Sequence, residues 1–561
     1  MTTLDWIVIA GYFALIGWVA WWYGRHQKDT TDYFLAGRNA GWVTIGACIF
    51  TSNIGSEHIV GLAGQGASTG MAMAHWELHA WVLIMLAGLF VPFYYKSGVE
   101  TIPQFLEKRF NARARWILSV VSLVAYVFTK VSVTVYAGAI VFQALLPDTF
   151  GSPERAFWIG AFATVAITGV YTVFGGMRAI MATSTPQAVI ILFGSFVITY
   201  IGLSKLGGWG ELVSMAKQNS ANFALWRPLS DPSFPWLGVL IASPIIGIWY
   251  WCTDQYIVQR ALSAKDLATA RRGALFGGLL KVWPVLIFLI PGMIGWALHQ
   301  KGIITLPPKI VGGEVVAAID GDRVFPTLVT ALLPSGIRGL IVACLLAALM
   351  SSLASLFNSS ASLFTVDVYE KLRPGQSQKH LLNVGRIATA VVVGLGIVWI
   401  PVMAKISQGG LYQYLQSVQG YLAPPITAVF LLGLFWKRVN AAGAVWGLGG
   451  GFVLGMAKLT IQTFYGKGKL ENPAFLAAIG DFNFLYATGV LMVASIILMV
   501  VASLLTPPPP PEKIHDLTYG SIHQDAADEI RKSWDAGNIF MAALILVLVG
   551  GMYLYFSFWL K

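Results

Sequence analysis

With 561 residues, 56% of them hydrophobic and 11% charged, and a mean hydropathy of +0.68, the chain falls outside the soluble globular class and reads as an integral membrane protein. Its net charge of +11 and pI near 9.4 would suit a nucleic-acid binder, but the lysines and arginines stand in short loops between apolar runs, so nucleic acid is not an expected partner. Cys48, Cys252 and Cys344 lie inside apolar runs and offer neither a disulfide framework nor zinc spacing.

The opening Met-Thr-Thr-Leu-Asp lacks the basic region of a cleavable signal peptide, so the first span is expected to be retained. Apolar windows of membrane-crossing length fall at 6–24, 42–66, 71–95, 116–146, 156–174, 179–203, 236–258, 273–298, 327–365, 383–404, 411–435, 440–462, 481–505 and 538–559, which predicts fourteen spans. Basic clusters such as Lys108, Arg109, Arg113 and Arg115, or Lys265, Arg271 and Arg272, then all fall on one side. The excess of positive charge assigns that side to the cytoplasm and both termini to the extracytoplasmic side. Absent long cysteine-rich external loops point to a plasma membrane of the bacterial inner-membrane type.

The second window holds the stretch around which the chain is organised. Thr51, Ser52, Asn53, Ser56, Glu57 and His58 stand there in a near-continuous run, with Gly55, Gly61 and Gly64 weakening the helix. An ionisable side chain at membrane depth costs at least ~2.5–3.5 kcal/mol, so such groups face a cavity or the protein interior. Unwound backbone is tolerated only in the same places. A discontinuous membrane helix is predicted, the device by which transporters hold ligands and ions. Close helix packing through small residues is the competing reading.

Five spans later a second interruption is expected around 243–255, where Pro244 and Gly247 precede Trp249, Tyr250, Trp251 and Asp254. Paired interruptions imply two inverted five-helix repeats. The chain accordingly divides into a leading helix (1–30), a first repeat (31–204), an extracellular loop (205–235) and a second repeat (236–438). Two peripheral helices (439–506), a Pro-rich cytoplasmic segment (507–536) and a last helix (537–561) follow. Serines crowd the span near 341–365, where both packing and binding remain open. Glu77, Lys281 and Gln416 are isolated polar groups in apolar spans, serving either interhelical contacts or a ligand. With Trp76, Tyr250, Trp251 and Tyr412 nearby, they suit a polyol, whose C–H faces stack on rings while its hydroxyls hydrogen-bond.

Several long motifs resemble the sodium/glucose cotransporters of the solute:sodium symporter family: S-N-I-G-S-E-H-I-V-G-L-A-G, I-W-Y-W-C-T-D-Q-Y-I-V-Q-R, K-V-W-P-V-L-I-F-L-I-P-G, L-M-S-S-L-A-S-L-F-N-S-S and F-W-K-R-V-N. The likeness runs from about residue 30 to 505. It implies an all-α membrane protein of about fourteen helices with a leucine-transporter-type inverted-repeat core, moving a sugar or polyol inward with sodium. Carried over by motif position, sodium would meet the backbone carbonyls of Thr51, Ile54 and Ala348 and the hydroxyls of Ser351 and Ser352. The sugar would meet His58, Glu77, Lys281 and Gln416, with Asn53 supporting the unwound segment and Tyr250 beside Trp251 as an inner gate. Leu62, Trp76 and Tyr412 would form the outer gate.

The chain departs from the family pattern in places. Thr183-Ser184-Thr185-Pro186-Gln187 puts a serine where many members have an aspartate tied to a second sodium, which implies one sodium per substrate. Glu57 replaces a glycine common in glucose carriers and is similar to the myo-inositol carriers, so hexose and inositol both stay open. A channel is disfavoured because filters are usually built symmetrically from several subunits. An enzyme is disfavoured because Glu57 with His58 is unaccompanied by any H-E-x-x-H, G-x-S-x-G or P-loop pattern. A sensor of the same fold and a proton-coupled variant remain, although the serine pair favours sodium. No obligatory protein partner is expected.

Overall fold

The computed structural model describes residues 1–561 except 26, 147–148, 312–313, 407–410 and 468, with backbone alone at 128, 311, 314, 316, 400, 402–406, 411–414 and 525–526. Among the described residues, twelve helices are long and apolar enough to cross a membrane. Two of them reach across two of the fourteen expected windows. Ser56–Lys96 holds the second half of the 42–66 window and all of 71–95, and Pro153–Leu206 holds both 156–174 and 179–203. Their helical character is broken inside, at Gly70 (φ +60°) and Gly176 (φ +53°), in the left-handed region that glycine enters without steric cost. Among the described residues the secondary structure is helical apart from one antiparallel strand pair, Lys309–Val311 with Glu314–Ala317, between two expected spans.

Helix starts follow from short polar side chains that accept an otherwise orphaned backbone N–H at the edge of an apolar run. Asp266 accepts from Thr269 (2.7 Å), Asn440 from Gly443 (2.9 Å) and Asp535 from Asn538 (2.8 Å). The helix Ile337–Ser362 lies at the centre of the bundle, and 94% of its apolar window is buried.

Both expected breaks exist, the second at the far end of the expected 243–255 stretch and not at Pro244 or Gly247. Trp42–Asn53 ends at Ile54 and Gly55, whose backbone is extended, and the helix resumes as Ser56–Thr69. In the second, the helix Trp236–Ile248 runs straight through Pro244 and Gly247 into a wide π turn, Trp249–Thr253. The true break is Asp254 (φ −84°, ψ 124°), after which Gln255–Leu262 begins. Asp254 stops the helix because its carboxylate accepts the N–H of Tyr256 (3.3 Å) in place of a backbone carbonyl. Gly247 has a different use: a Cβ there would lie 3.1 Å from the His79 ring.

The half-helix Ser56–Thr69 is locked by backbone contact with the helix Ile290–Gln300. A Cβ on Gly292 would sit 1.9 Å from the carbonyl oxygen of Ala63. Gly292→Ala is therefore expected to destabilise the protein by about 1–3 kcal/mol or more, the usual cost of overpacking. The thermal unfolding midpoint in detergent checks this, and an unchanged midpoint would contradict the close approach.

The segment 507–536 does more than connect. Lys513 Nζ donates to the Glu107 carbonyl (2.9 Å), Lys437 Nζ to the Gly520 carbonyl (2.6 Å), and the Tyr519 ring stacks on Phe435 at 4.8 Å. These contacts clasp the ends of core helices together.

Candidate substrate and cation site

A narrow cavity of about 50 Å³ opens where the two breaks face each other, and Asn53, Glu57, His58, Trp76, Glu77, Tyr250, Trp251, Lys281 and Gln416 all line it. Every sugar-contact residue expected from the sequence is thus brought to one wall or another of a single cavity. Asn53 Nδ2 donates to the Tyr250 hydroxyl (3.1 Å) and lies 3.4 Å from His58 Nε2, which ties the first broken helix to the π turn of the second. The Trp251 ring is buried, with Lys281 Nζ 5.6 Å from its centroid. Glu77 and Lys281 form an ion pair at 2.5 Å with side chains 1% and 3% exposed, so each neutralises the other at membrane depth.

Among the described residues, four polar atoms around this cavity are buried without a hydrogen-bond partner: Asn53 Oδ1, Glu57 Oε2, Trp76 Nε1 and Gln416 Oε1. Each such atom costs about 1–3 kcal/mol if left unmet, and native proteins keep few of them. A donor and several acceptors converging with aromatic faces match a ligand rich in hydroxyls. Of the expected outer gate, Trp76 lines the cavity and faces Phe234 edge-on at 6.1 Å. Leu62 is fully buried but is not among the cavity's described lining residues. The Tyr412 side chain lies outside the described residues.

Sequence reasoning missed Lys130. Its Nζ pairs with Asp254 Oδ2 at 2.5 Å and sits 4.8–5.2 Å from the ring centroids of Tyr126, Trp249, Tyr250 and Tyr256. The cage places a cation beside the second break and against the cavity. A lone lysine in the apolar 116–146 window was the available signal. His79, Tyr256 and Gln419 also line the cavity. His79 Nε2 lies 2.6 Å from Ser243 Oγ.

The residues carried over for sodium are all buried: Thr51, Ile54, Ala348, Ser351 and Ser352. The helix Ile337–Ser362 meets the first break there. Ser352 Oγ donates to the carbonyl of Ser52 (2.9 Å), and Ser52 Oγ lies 2.7 Å from Ser355 Oγ. Ser351 Oγ is buried with no hydrogen-bond partner. A hydroxyl that donates to a carbonyl keeps lone pairs for a cation, and the orphaned hydroxyl of the neighbouring Ser351 is a further neutral oxygen of the kind a hard ion takes. The Tyr256 hydroxyl also donates to the Ser52 carbonyl, and its backbone N–H bonds the Tyr126 hydroxyl at 3.1 Å. Tyr256 therefore joins the cation-side break to the Asp254 break.

A helical bundle with two facing helix breaks, a cavity between them and buried serine hydroxyls packed against one break has the architecture of a secondary transporter. The chain belongs to the sodium:solute symporter family, whose model matches residues 33–451. It is 39% identical to sodium/glucose cotransporter 2 of Rattus norvegicus, over 95% of this chain and 82% of the relative, and 38% identical to the sodium/myo-inositol cotransporter of Homo sapiens, over 88% and 72%. Among solved structures, a Na+-coupled sialic acid symporter in a substrate-bound outward-open state shares the fold with a TM-score of 0.74, 21% identity, and coverage of 90% of this chain and 99% of that one.

Proposed function

We propose that the protein is a secondary active symporter that couples inward sodium movement to uptake of a glucose- or galactose-like hexose by alternating access. The observation that carries this reading is the cavity in which four unmet buried polar atoms, the Trp251 face and the Glu77–Lys281 pair converge. Its sodium/glucose relatives support the choice of substrate class. Sodium held by Thr51, Ile54, Ala348, Ser351 and Ser352 would brace the first break, and the break carries Asn53 and His58 into the sugar site. By linkage, sugar raises sodium affinity by the factor sodium raises the sugar's. Each sodium entering at 100 mV contributes ~2.3 kcal/mol from the field alone.

A myo-inositol symporter is the second reading, favoured by Glu57 Oε1 lying 3.8 Å from His58 Nδ1 in the cavity wall and by the myo-inositol relatives. The inverted repeats at 31–204 and 236–438, a bacterial-type inner plasma membrane and extracytoplasmic termini belong to the same proposal. The deciding experiment is uptake of labelled glucose, galactose and myo-inositol by proteoliposomes with and without an inward sodium gradient. Accumulation of none of them above the gradient-free level would end the reading.

One sodium per sugar is expected. Ser184 Oγ donates to the carbonyl of Ile180 in its own helix (2.7 Å), and no carboxylate stands at that position to hold a second ion. Reversal-potential measurement gives the ratio directly. A value of two, together with altered sodium dependence in Ser184→Ala, would refute the expectation.

A further inference from the structure

We propose that an anionic phospholipid binds in the groove between the leading helix Thr3–Gly24 and the helix Pro153–Leu206, with its acyl chain on the apolar wall and its phosphate between Arg25 and Arg386. The groove encloses about 690 Å³ and is walled by Phe13, Ile16, Ile167, Val170 and Phe174. Val170 and Phe174 are 60% and 66% exposed, so this wall faces the bilayer. Gly17 gives the groove depth, since a Cβ there would meet nothing within 4 Å. At Gly24 the two helices touch, a Cβ there falling 2.6 Å from the Gly175 Cα, which closes the groove at its basic end.

That end carries two cations. The Arg25 guanidinium is held over Trp22 and Trp21, at 4.0 and 5.0 Å from their rings. Arg386 Nη2 makes a 3.4 Å bond to Gln27 Oε1, and its Nε is buried without a hydrogen-bond partner. Among the described residues neither guanidinium has an ion-pair partner, and no Asp or Glu lines the groove. Guanidinium groups hold phosphate through paired N–H donors. Basic pockets between membrane helices take anionic headgroups. A zwitterionic headgroup would bring an ammonium group with no carboxylate to meet it, which favours a phosphatidylglycerol-type lipid over phosphatidylcholine.

The inner wall adds a consequence that rests on the symport reading above. Tyr171 and Met350 line the groove, and the Tyr171 hydroxyl donates to the Met350 carbonyl at 3.1 Å. Met350 directly precedes Ser351 and Ser352, so the lipid backs onto the helix assigned to sodium.

Native mass spectrometry of the full-length protein from nanodiscs of equal phosphatidylglycerol and phosphatidylcholine tests binding without reference to transport. Wild type is expected to retain one phosphatidylglycerol preferentially, and Arg25→Gln to retain it roughly fivefold less, as for one basic residue near a membrane surface. Arg25 is exposed and stacks only on its neighbours, so that variant should fold. Val170→Trp, which fills the groove and keeps both arginines, should also shed the lipid. Equal retention of the two lipids by wild type, or unchanged retention in both variants, overturns the site. Sodium half-saturation of uptake should rise in phosphatidylcholine-only vesicles for wild type but not for Arg25→Gln. Retained binding with no such rise overturns only the link to sodium, and absent uptake in every vesicle overturns the symport reading instead.

Discussion

Glu77→Ala is expected to abolish sodium-driven uptake and, unlike most changes in a ligand site, to destabilise the protein. The carboxylate is the 2.5 Å partner of Lys281, and both side chains are at most 3% exposed. Removing one member strands a buried charge, at a cost of about 3–5 kcal/mol. Lys281→Ala should do the same from the other side. The charge-neutral double variant Glu77→Gln with Lys281→Met is expected to recover most of the thermal stability but not uptake, because both charged groups facing the ligand, and the lysine's donors, are gone. Gln416→Ala provides the contrast. Its Oε1 has no hydrogen-bond partner to lose, so uptake should fall while the unfolding midpoint stays close to wild type. Unfolding curves and initial uptake rates on the same preparations separate the cases, and a Glu77→Ala protein of wild-type stability would contradict the ion pair.

Ser351→Ala is expected to raise the sodium half-saturation of uptake about tenfold, equivalent to about 1.4 kcal/mol. The hydroxyl is buried without a partner, so its removal in sodium-free buffer should leave the fold as stable as wild type or slightly more so. Ser352→Ala should raise sodium half-saturation similarly and also lower stability, since it takes a 2.9 Å donor from the Ser52 carbonyl. Sodium binds only the folded protein, so it should raise the unfolding midpoint of wild type and do so less in either variant at the same concentration. A Ser351→Ala protein with wild-type sodium dependence, in both uptake and thermal shift, would remove that hydroxyl from the cation site.

Pairing in the structure also changes how individual polar residues are understood. Glu77 and Lys281 were open between interhelical contact and ligand contact when read along the chain. They serve the first role through each other while lining the cavity that supports the second. Lys130 with Asp254 repeats the device at the second break, where one ion pair and four rings hold a cation against the cavity wall. Both pairs leave the site close to neutral, which is what makes charged groups tolerable at this depth.

The sequence by itself determined the membrane class, most span positions, the existence of two helix interruptions and part of the cavity wall, from Asn53 and His58 to Lys281 and Gln416, but not Lys130 or Tyr256. Apolar windows of fixed length and ionisable groups inside them have few physical solutions in a bilayer. Tertiary structure alone decided who partners whom and where the second helix stops. Pro244 was tolerated within its helix, whereas Asp254 broke it by capturing the Tyr256 N–H, with Lys130 and Tyr126 brought to its carboxylate from a different helix. Such choices depend on groups more than a hundred residues apart meeting in one place, and the local pattern of hydrophobicity carries no record of that meeting.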